Sequence, residues 1–505
     1  MNAWTRRVAL LLGLLFVSAA SAVSLSTDGS GQVLIYPYYT VNAGQQSTLT
    51  LTNRASRPKA VKLMIREGAF GDAAFVLNVY LGAKDTWTGT VFQWGTGSNG
   101  GPALLSNDAS CTVPDLHGDA LPTLPDGRHY LRPNGGALSA GSVPDEGYVV
   151  AIEMGELSGN SAAAVLMQGF GGNPPADCGE LVAAWQTGGY WRADPSNDVS
   201  APTGGLAGSV TVVDSGEGSV FHLKATALKD FRVATMHTAP TTGKPDLGSA
   251  LSNAANGVAT ATIRLGNTMV QSDYPADRAV DAVTAVLTAR TLSTEFDFRP
   301  GVGARTDFVF TMPTKRFYTA DPAHPVAPFG RDRFHRTSPR GSVCPIVEFN
   351  GADRNGSFSG LWYKLWKDYH ALAVDGPKAC YASSVIALDP ASRPPSLLNS
   401  QLTAEKPLID DDLLGQVAFD MGNYSCDLAA GCTAEQFAAV KDEVNLMRPD
   451  LQGRRYLGLP AIGFAATGYI NAYAGNANVW RNLTFTSAYD RSRGCVQDNV
   501  VGGCH

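Results

Sequence analysis

The residues with the most definite chemistry are the eight cysteines: Cys111, Cys178, Cys344, Cys380, Cys426, Cys432, Cys495 and Cys504. No two stand at the C-x-x-C spacing of a zinc site, so no metal is expected on thiolates. Their even number suits structural disulfides, which form in oxidising compartments. The expected pairing is sequential: Cys111–Cys178, Cys344–Cys380, Cys426–Cys432 and Cys495–Cys504. The last two would be short local staples.

Signatures of catalysis fail one at a time. Gly356-Ser357-Phe358-Ser359-Gly360 has Phe where a G-x-S-x-G elbow needs its nucleophile. Ser56-Arg57-Pro58-Lys59 matches S-x-x-K, but Pro58 breaks the helix that the motif requires. H-E-x-x-H is absent, and the eight histidines are scattered. Asp410-Asp411-Asp412 reads as a solvated acidic turn. Asp353-Arg354-Asn355-Gly356 starts like a calcium loop, yet its twelfth position is Lys364 rather than an acid. Glu67, Glu153 and Glu348 fall on expected strands, and two of them would need a defined separation to hydrolyse a glycoside. No catalytic residue, metal or cofactor is therefore expected.

Two aromatic groups carry a binding chemistry instead. Trp362, Tyr363, Trp366 and Tyr369 cluster in one stretch, and Trp185, Tyr190 and Trp191 in another. On exposed loops such rings stack on sugars, which makes Trp362, Tyr363, Trp366, Trp185 and Trp191 the candidate glycan contacts. The competing placement is inside the core, where large aromatic side chains usually sit.

These residues need a scaffold, and the chain's patterning supplies it. Val33–Tyr39, Ser47–Asn53, Ala60–Glu67, Ala74–Leu81 and Thr86–Phe92 tend to alternate with period two and are separated by polar or Gly/Pro turns. In Ser47–Asn53, Leu49 and Leu51 point one way and Thr48, Thr50 and Thr52 the other. Residues 95–143 read as long loops. Strands are expected again at Tyr148–Met154, Ala163–Met167, Ser209–Val213 and Val220–Ala225. A linker near Thr238 would divide an N-terminal sandwich, 23–238, from a C-terminal mainly-β unit, 239–505.

In the second unit, spacing predicts a helix over Ala279–Ala289, and Thr433 with Gln436 makes a capping box for another. Val258–Leu265, Thr306–Met312, Val343–Phe349, Ser384–Leu388 and Gly415–Phe419 are predicted strands, and Leu457–Ile470 with Trp480–Ser487 a strand pair. The expected fold is mainly β: two antiparallel, immunoglobulin-like sandwiches with long loops and a few short helices.

Composition narrows the setting. The net charge of −6 and a charged fraction of 17% give no basic footprint for nucleic acid. Arg6 and Arg7, the apolar run Val8–Val17 and Ala20-Ser21-Ala22 form the pattern of a cleaved secretory signal over 1–22. No later segment is apolar for long enough to span a membrane as a helix. The expected location is extracellular or the outer cell surface, with the periplasm as the alternative.

Leu34–Val41 (LIYPYYTV), the Asn53…Val61…Glu67 run, Thr306–Tyr318 (TDFVFTMPTKRFY) and Leu459–Ala465 (LPAIGFA) resemble a family of exported proteobacterial envelope or surface proteins. The resemblance implies immunoglobulin-like β-sandwich character and an envelope location, and it transfers no catalytic residue. The expected function is adhesion, matrix or complex assembly without catalysis, with other surface proteins, copies of itself or glycans as partners. Carbohydrate binding through the Trp-rich loops, or less directly a secreted hydrolase, are the alternatives.

Overall fold

The computed structural model describes residues 21–95, 101–116, 142–165, 177–253, 255–299, 302–329, 336–337, 340–345, 347–353, 379–388, 396–402, 413–422, 445–473 and 480–504. Expectations for the signal segment up to residue 20, the Cys426–Cys432 pair, the helix after Thr433, Asp410–Asp412, and Trp362, Tyr363, Trp366 and Tyr369 lie outside them. The chain is mainly β, with antiparallel sheets and few short helices.

The N-terminal strands are β1 (Ser24–Leu25), β2 (Val33–Thr40), β3 (Gln46–Asn53), β4 (Lys59–Glu67), β5 (Ala73–Leu81) and β6 (Thr86–Trp94). There follow β7 (Gly101–Leu105), β8 (Cys111–Val113), β9 (Glu146–Leu157), β10 (Val199–Ser200), β11 (Leu206–Asp214), β12 (Ser219–Lys224) and β13 (Thr226–Lys229). One sheet has the order β1-β13-β2-β9-β4-β5-β8, with β10 on β9; the second runs β12-β11-β3-β6-β7. Their facing side chains share one core, including Tyr36, Leu63 and Leu77 from the first and Leu49, Trp87 and Val210 from the second.

The larger sheet is buried on both faces. Its other side chains, among them Ile35, Met64, Tyr80 and Ile152, pack under helices α1 (Gly159–Val165), α2 (Cys178–Ala184), α3 (Tyr190–Ala193) and α4 (Val280–Leu287). The hairpin of β14 (Ala259–Leu265) and β15 (Thr268–Tyr274) completes this cover. Two-sided burial is why β2, β4 and β9 are buried along their whole length, whereas β3 and β6 alternate buried and partly exposed residues.

Four differences from the sequence reading have local causes. Ala163–Met167 is not a strand; its alanines, strong helix formers, belong to α1, which runs Gly159–Val165. Short strands β7 and β8 interrupt the loop expected over 95–143. The hairpin partner β15 and helices α2 and α3 are additional elements. The supposed linker is packed, with His237 and Leu247 buried and Asp246 capping a turn through Gly248 N–H.

The second half adds β16 (Thr288–Ala289), β17 (Thr291–Phe298), β18 (Ala304–Thr311), β19 (Arg336–Thr337), β20 (Val343–Cys344), β21 (Glu348–Asp353) and β22 (Ser383–Leu388). Then come β23 (Leu413–Asp420), β24 (Arg455–Leu457), β25 (Leu459–Pro460), β26 (Ile462–Tyr473), β27 (Trp480–Ala488) and β28 (Asp490–Ser492). Sheets β21-β23-β17-β28 and β22-β18-β26-β27 enclose a core where Phe419 meets Phe308 and Phe310 edge-on at 5.0 and 4.6 Å. The opposite face of β18, β22 and β26 sends Val309, Val385 and Phe464 into the N-terminal core. The halves are thus packed through shared side chains.

Truncations test the two-sided sheet. Leu63→Ala and Met64→Ala, neighbours on opposite faces of β4, are each expected to lose about 2–5 kcal/mol in urea unfolding. On β3, Leu51→Ala should lose as much and Thr50→Ala about 1 kcal/mol or less. A near-neutral Met64→Ala would remove the third layer.

Candidate functional site

Three disulfides, Cys111–Cys178, Cys344–Cys380 and Cys495–Cys504, match the sequential pairing. They tie α2 to the edge strand β8, join the segments at 344 and 380, and close the C-terminal turn. Multiple disulfides point to an oxidising, extracytoplasmic environment.

The S-x-x-K match comes apart in the fold. Ser56 is exposed in a turn, while Lys59 begins β4 and is fully buried. Its Nζ lies 2.5 Å from Glu153 Oε1 and 3.5 Å from Glu156 Oε1, and donates to Thr203 Oγ1 at 2.9 Å. Glu153 also accepts the backbone N–H groups of Thr203 and Gly204, at 2.9 and 2.7 Å. Burial pushes its carboxyl above the usual range, against the pull of Lys59.

At the other end of β4, Glu67 accepts N–H groups from Ala69, Phe70, Gly71, Asp72 and Val143 and so shapes the turn that follows. Burial still leaves its carboxyl raised. Glu153 pairs with Val61 in the ladder, six positions from Glu67. At ~3.3 Å per residue the two acids are ~20 Å apart, too far to act together on one glycosidic bond. Glu348 lies in β21, in the second half of the chain.

The second aromatic group is a closed cluster. Trp191 is fully buried, stacks on Tyr80 at 5.3 Å and donates its indole N–H to Asn197 O at 2.9 Å. Trp185 packs 5.5 Å from Trp191 and donates to the Tyr80 hydroxyl at 2.9 Å. Asn78 donates to the same hydroxyl at 3.1 Å. His237 completes it: Nδ1 is 2.7 Å from Pro195 O, an acceptor, so Nδ1 carries the proton and Nε2 accepts from Tyr80 at 3.2 Å. Tyr80 therefore uses its one donor and both lone pairs. Trp191 is not available to stack on a sugar, and Trp185 and the half-buried Tyr190 pack against the same core. Beside them, Lys62 donates to Ala239 O at 2.6 Å, and burial lowers its amine well below the ordinary lysine range.

A partly exposed surface lies on the outer side of the five-stranded sheet. Across the outer face of β11, β3 and β6 the ladder aligns Thr52 with Thr86, Ser209 with Thr50 and Thr88, and Thr211 with Thr48 and Thr90. Thr48–Thr90, Thr50–Ser209 and Thr52–Thr86 form hydroxyl pairs at 3.0, 2.9 and 3.0 Å. Within β11, β3 and β6 these rows carry no charged side chain; at their margins Lys224 of β12 stands opposite Ser209, and Thr88 donates to Asp108 Oδ2 at 3.3 Å. Along β6 they end in Phe92 and Trp94, rings 6.1 Å apart, the latter 51% exposed. The alternation of Ser47–Asn53 predicted where these threonines point, but not that β6 and β11 align matching hydroxyls beside them.

Among the described residues no three His, Cys, Asp or Glu side chains form a metal cluster, and no helix is long and apolar enough to cross a membrane. Burial holds the His237 imidazole down at about 4, from an ordinary 6.5, with Lys62 adding repulsion. Unfolding then takes up a proton between those values, so this group's stabilisation is complete above pH 6.5 and is lost as pH falls towards 4. The stability difference between wild type and His237→Gln, from urea titrations, should shrink over that interval; a pH-independent difference would contradict it. No protein-family model matches the chain, and comparisons with curated proteins and with solved structures find no significant match.

Proposed function

We propose that this is an exported, disulfide-braced protein of the cell surface or extracellular space, with immunoglobulin-like sandwich character, that works by adhesion or assembly rather than catalysis. The observation that carries this reading is the solvent-facing hydroxyl surface of β11, β3 and β6, bordered by Phe92 and Trp94. Short, uncharged hydroxyls beside exposed rings suit contact with neutral, hydroxyl-rich partners such as glycans. The buried acids Glu67 and Glu153 instead hold backbone turns.

This moves the glycan reading away from Trp185 and Trp191 and onto the sheet face. Strand addition to the five-stranded sheet is disfavoured at both edges. Thr484 and Thr486 of β27 bond the free backbone of β12 at Val220 and His222, and β7 is short and carries Pro102.

Purified wild type and Thr48→Lys are to be compared on a glycan array and on intact cells of the producing organism. Wild type should be retained and the variant at least tenfold less, with unchanged thermal unfolding. Equal retention would remove the face from the function. Protease protection in intact but not permeabilised cells would place the protein inside and overturn the surface location.

A further inference from the structure

We propose that Lys59 and Glu153 condense in the mature protein to a side-chain amide, a covalent cross-link between β4 and β9. Four observations converge. First, amine and carboxyl are in contact at 2.5 Å with both side chains at 0% exposure, so neither group competes with solvent. The carbon to be attacked lies one C–O bond beyond Glu153 Oε1.

Second, the Glu153 carboxyl is already gripped by two backbone donors, Thr203 N–H on Oε1 and Gly204 N–H on Oε2. Donors so placed stabilise the negative charge of a tetrahedral intermediate. Third, a separate carboxylate stands by as proton carrier: Glu156 Oε1 is 3.5 Å from Nζ and accepts the Thr203 hydroxyl, which itself accepts from Nζ. Fourth, Thr203 is exposed and the Glu156 side chain is 12% exposed, which leaves a path for water to depart.

The step balances without an oxidant or cofactor. Proton transfer within the pair gives the amine and the carboxylic acid from which the new bond forms. Nζ attacks Cδ and the N–C bond forms. Glu156 takes the surplus proton from nitrogen and returns it to the departing hydroxyl, the C–O bond breaks, and one water leaves. In bulk water, hydration of the separate ions opposes such condensation; full burial removes that hydration. The product would join residues 94 apart in sequence across adjacent central strands. Lys62 is the internal comparison, a buried amine on the same strand whose hydrogen bond goes to the Ala239 carbonyl.

The test is mass spectrometry of folded protein after reduction of the disulfides. Wild type should weigh about 18 Da less than its sequence, one water. A digest should yield a branched peptide joining Lys59 to Glu153, with Lys62 unmodified. Glu156→Gln, which keeps the pair but removes the proton carrier, should fold and retain full mass. Full mass in correctly folded wild type, shown by a cooperative thermal transition, would overturn the proposal and leave an ion pair. A cross-link in Glu156→Gln equal to wild type would overturn the role given to Glu156.

Discussion

The constraint on which the rest depends is the burial of the large N-terminal sheet on both faces. A strand without a solvent side must find every polar partner inside the protein, and an unmatched buried group costs about 1–3 kcal/mol. Here several charged groups of the central strands fasten segments laid against the sheet. Lys59 and Glu153 hold residues 203–204, Lys62 holds the chain at Ala239, and Glu67 holds 69–72 and Val143. Glu146, at the start of β9, accepts from Tyr38 and Ser400 at 2.6 Å each, and from Gln401 N–H. Burial that looks unfavourable for any one of these residues becomes a means of specifying where loops cross the sheet. Whether such groups add net stability is a separate matter, since a buried pair is weak evidence for it.

The same economy of contacts unites the two halves. The Thr306–Tyr318 segment reaches in several directions: Thr311 donates to Pro37 O of β2, and Met312 N–H to Ala382 O. Lys315 donates to the carbonyls of Val343, Ala379 and Cys380, one for each ammonium proton, although burial draws its pKa down. Tyr318 donates to Asp281 Oδ1 at 2.5 Å, and Arg448 meets the same oxygen at 2.6 Å. This stretch therefore connects β2, α4 and the Cys344–Cys380 region. Its contacts are positional, which is a sufficient physical reason for a dense cluster of Thr, Lys, Arg and aromatic residues.

Much of this was legible in the amino-acid sequence, for identifiable reasons. Strands with one wet face announce themselves by alternation, as in Ser47–Asn53, where Leu49 and Leu51 are buried and the threonines are not. The six described cysteines paired in sequence order, and α4 followed the spacing of Val280, Val283, Val286 and Leu287. What stayed hidden depends on distant partners. The burial of Lys59 and Lys62 rests on β9 and the 203–239 segments laid against them, which no local pattern shows. Trp185 and Trp191 look like loop aromatics because their partners, Tyr80 and His237, are remote in the chain. No local pattern encodes that Val61 stands opposite Glu153, a register that includes a bulge between Ala60 and Val61.

The arrangement also bears on which surface is open to the proposed binding. An open sheet offers two routes to a partner, its edges and its face. At the β12 edge, hydroxyls of β27 take the backbone groups that another strand would need, so a newcomer would have to displace contacts within the chain. The outer face of β11, β3 and β6 is partly exposed, with Asp108 reaching Thr88 at its margin. Its hydroxyls satisfy one another across strands, which stabilises the sheet, yet each retains an acceptor lone pair or a donor that can be redirected to a partner. A partner meeting this face would exchange hydroxyl for hydroxyl at small desolvation cost and would gain apolar contact at Phe92 and Trp94. Weak, repeated interactions of that kind favour extended ligands over compact ones, because affinity then grows with the length of surface engaged.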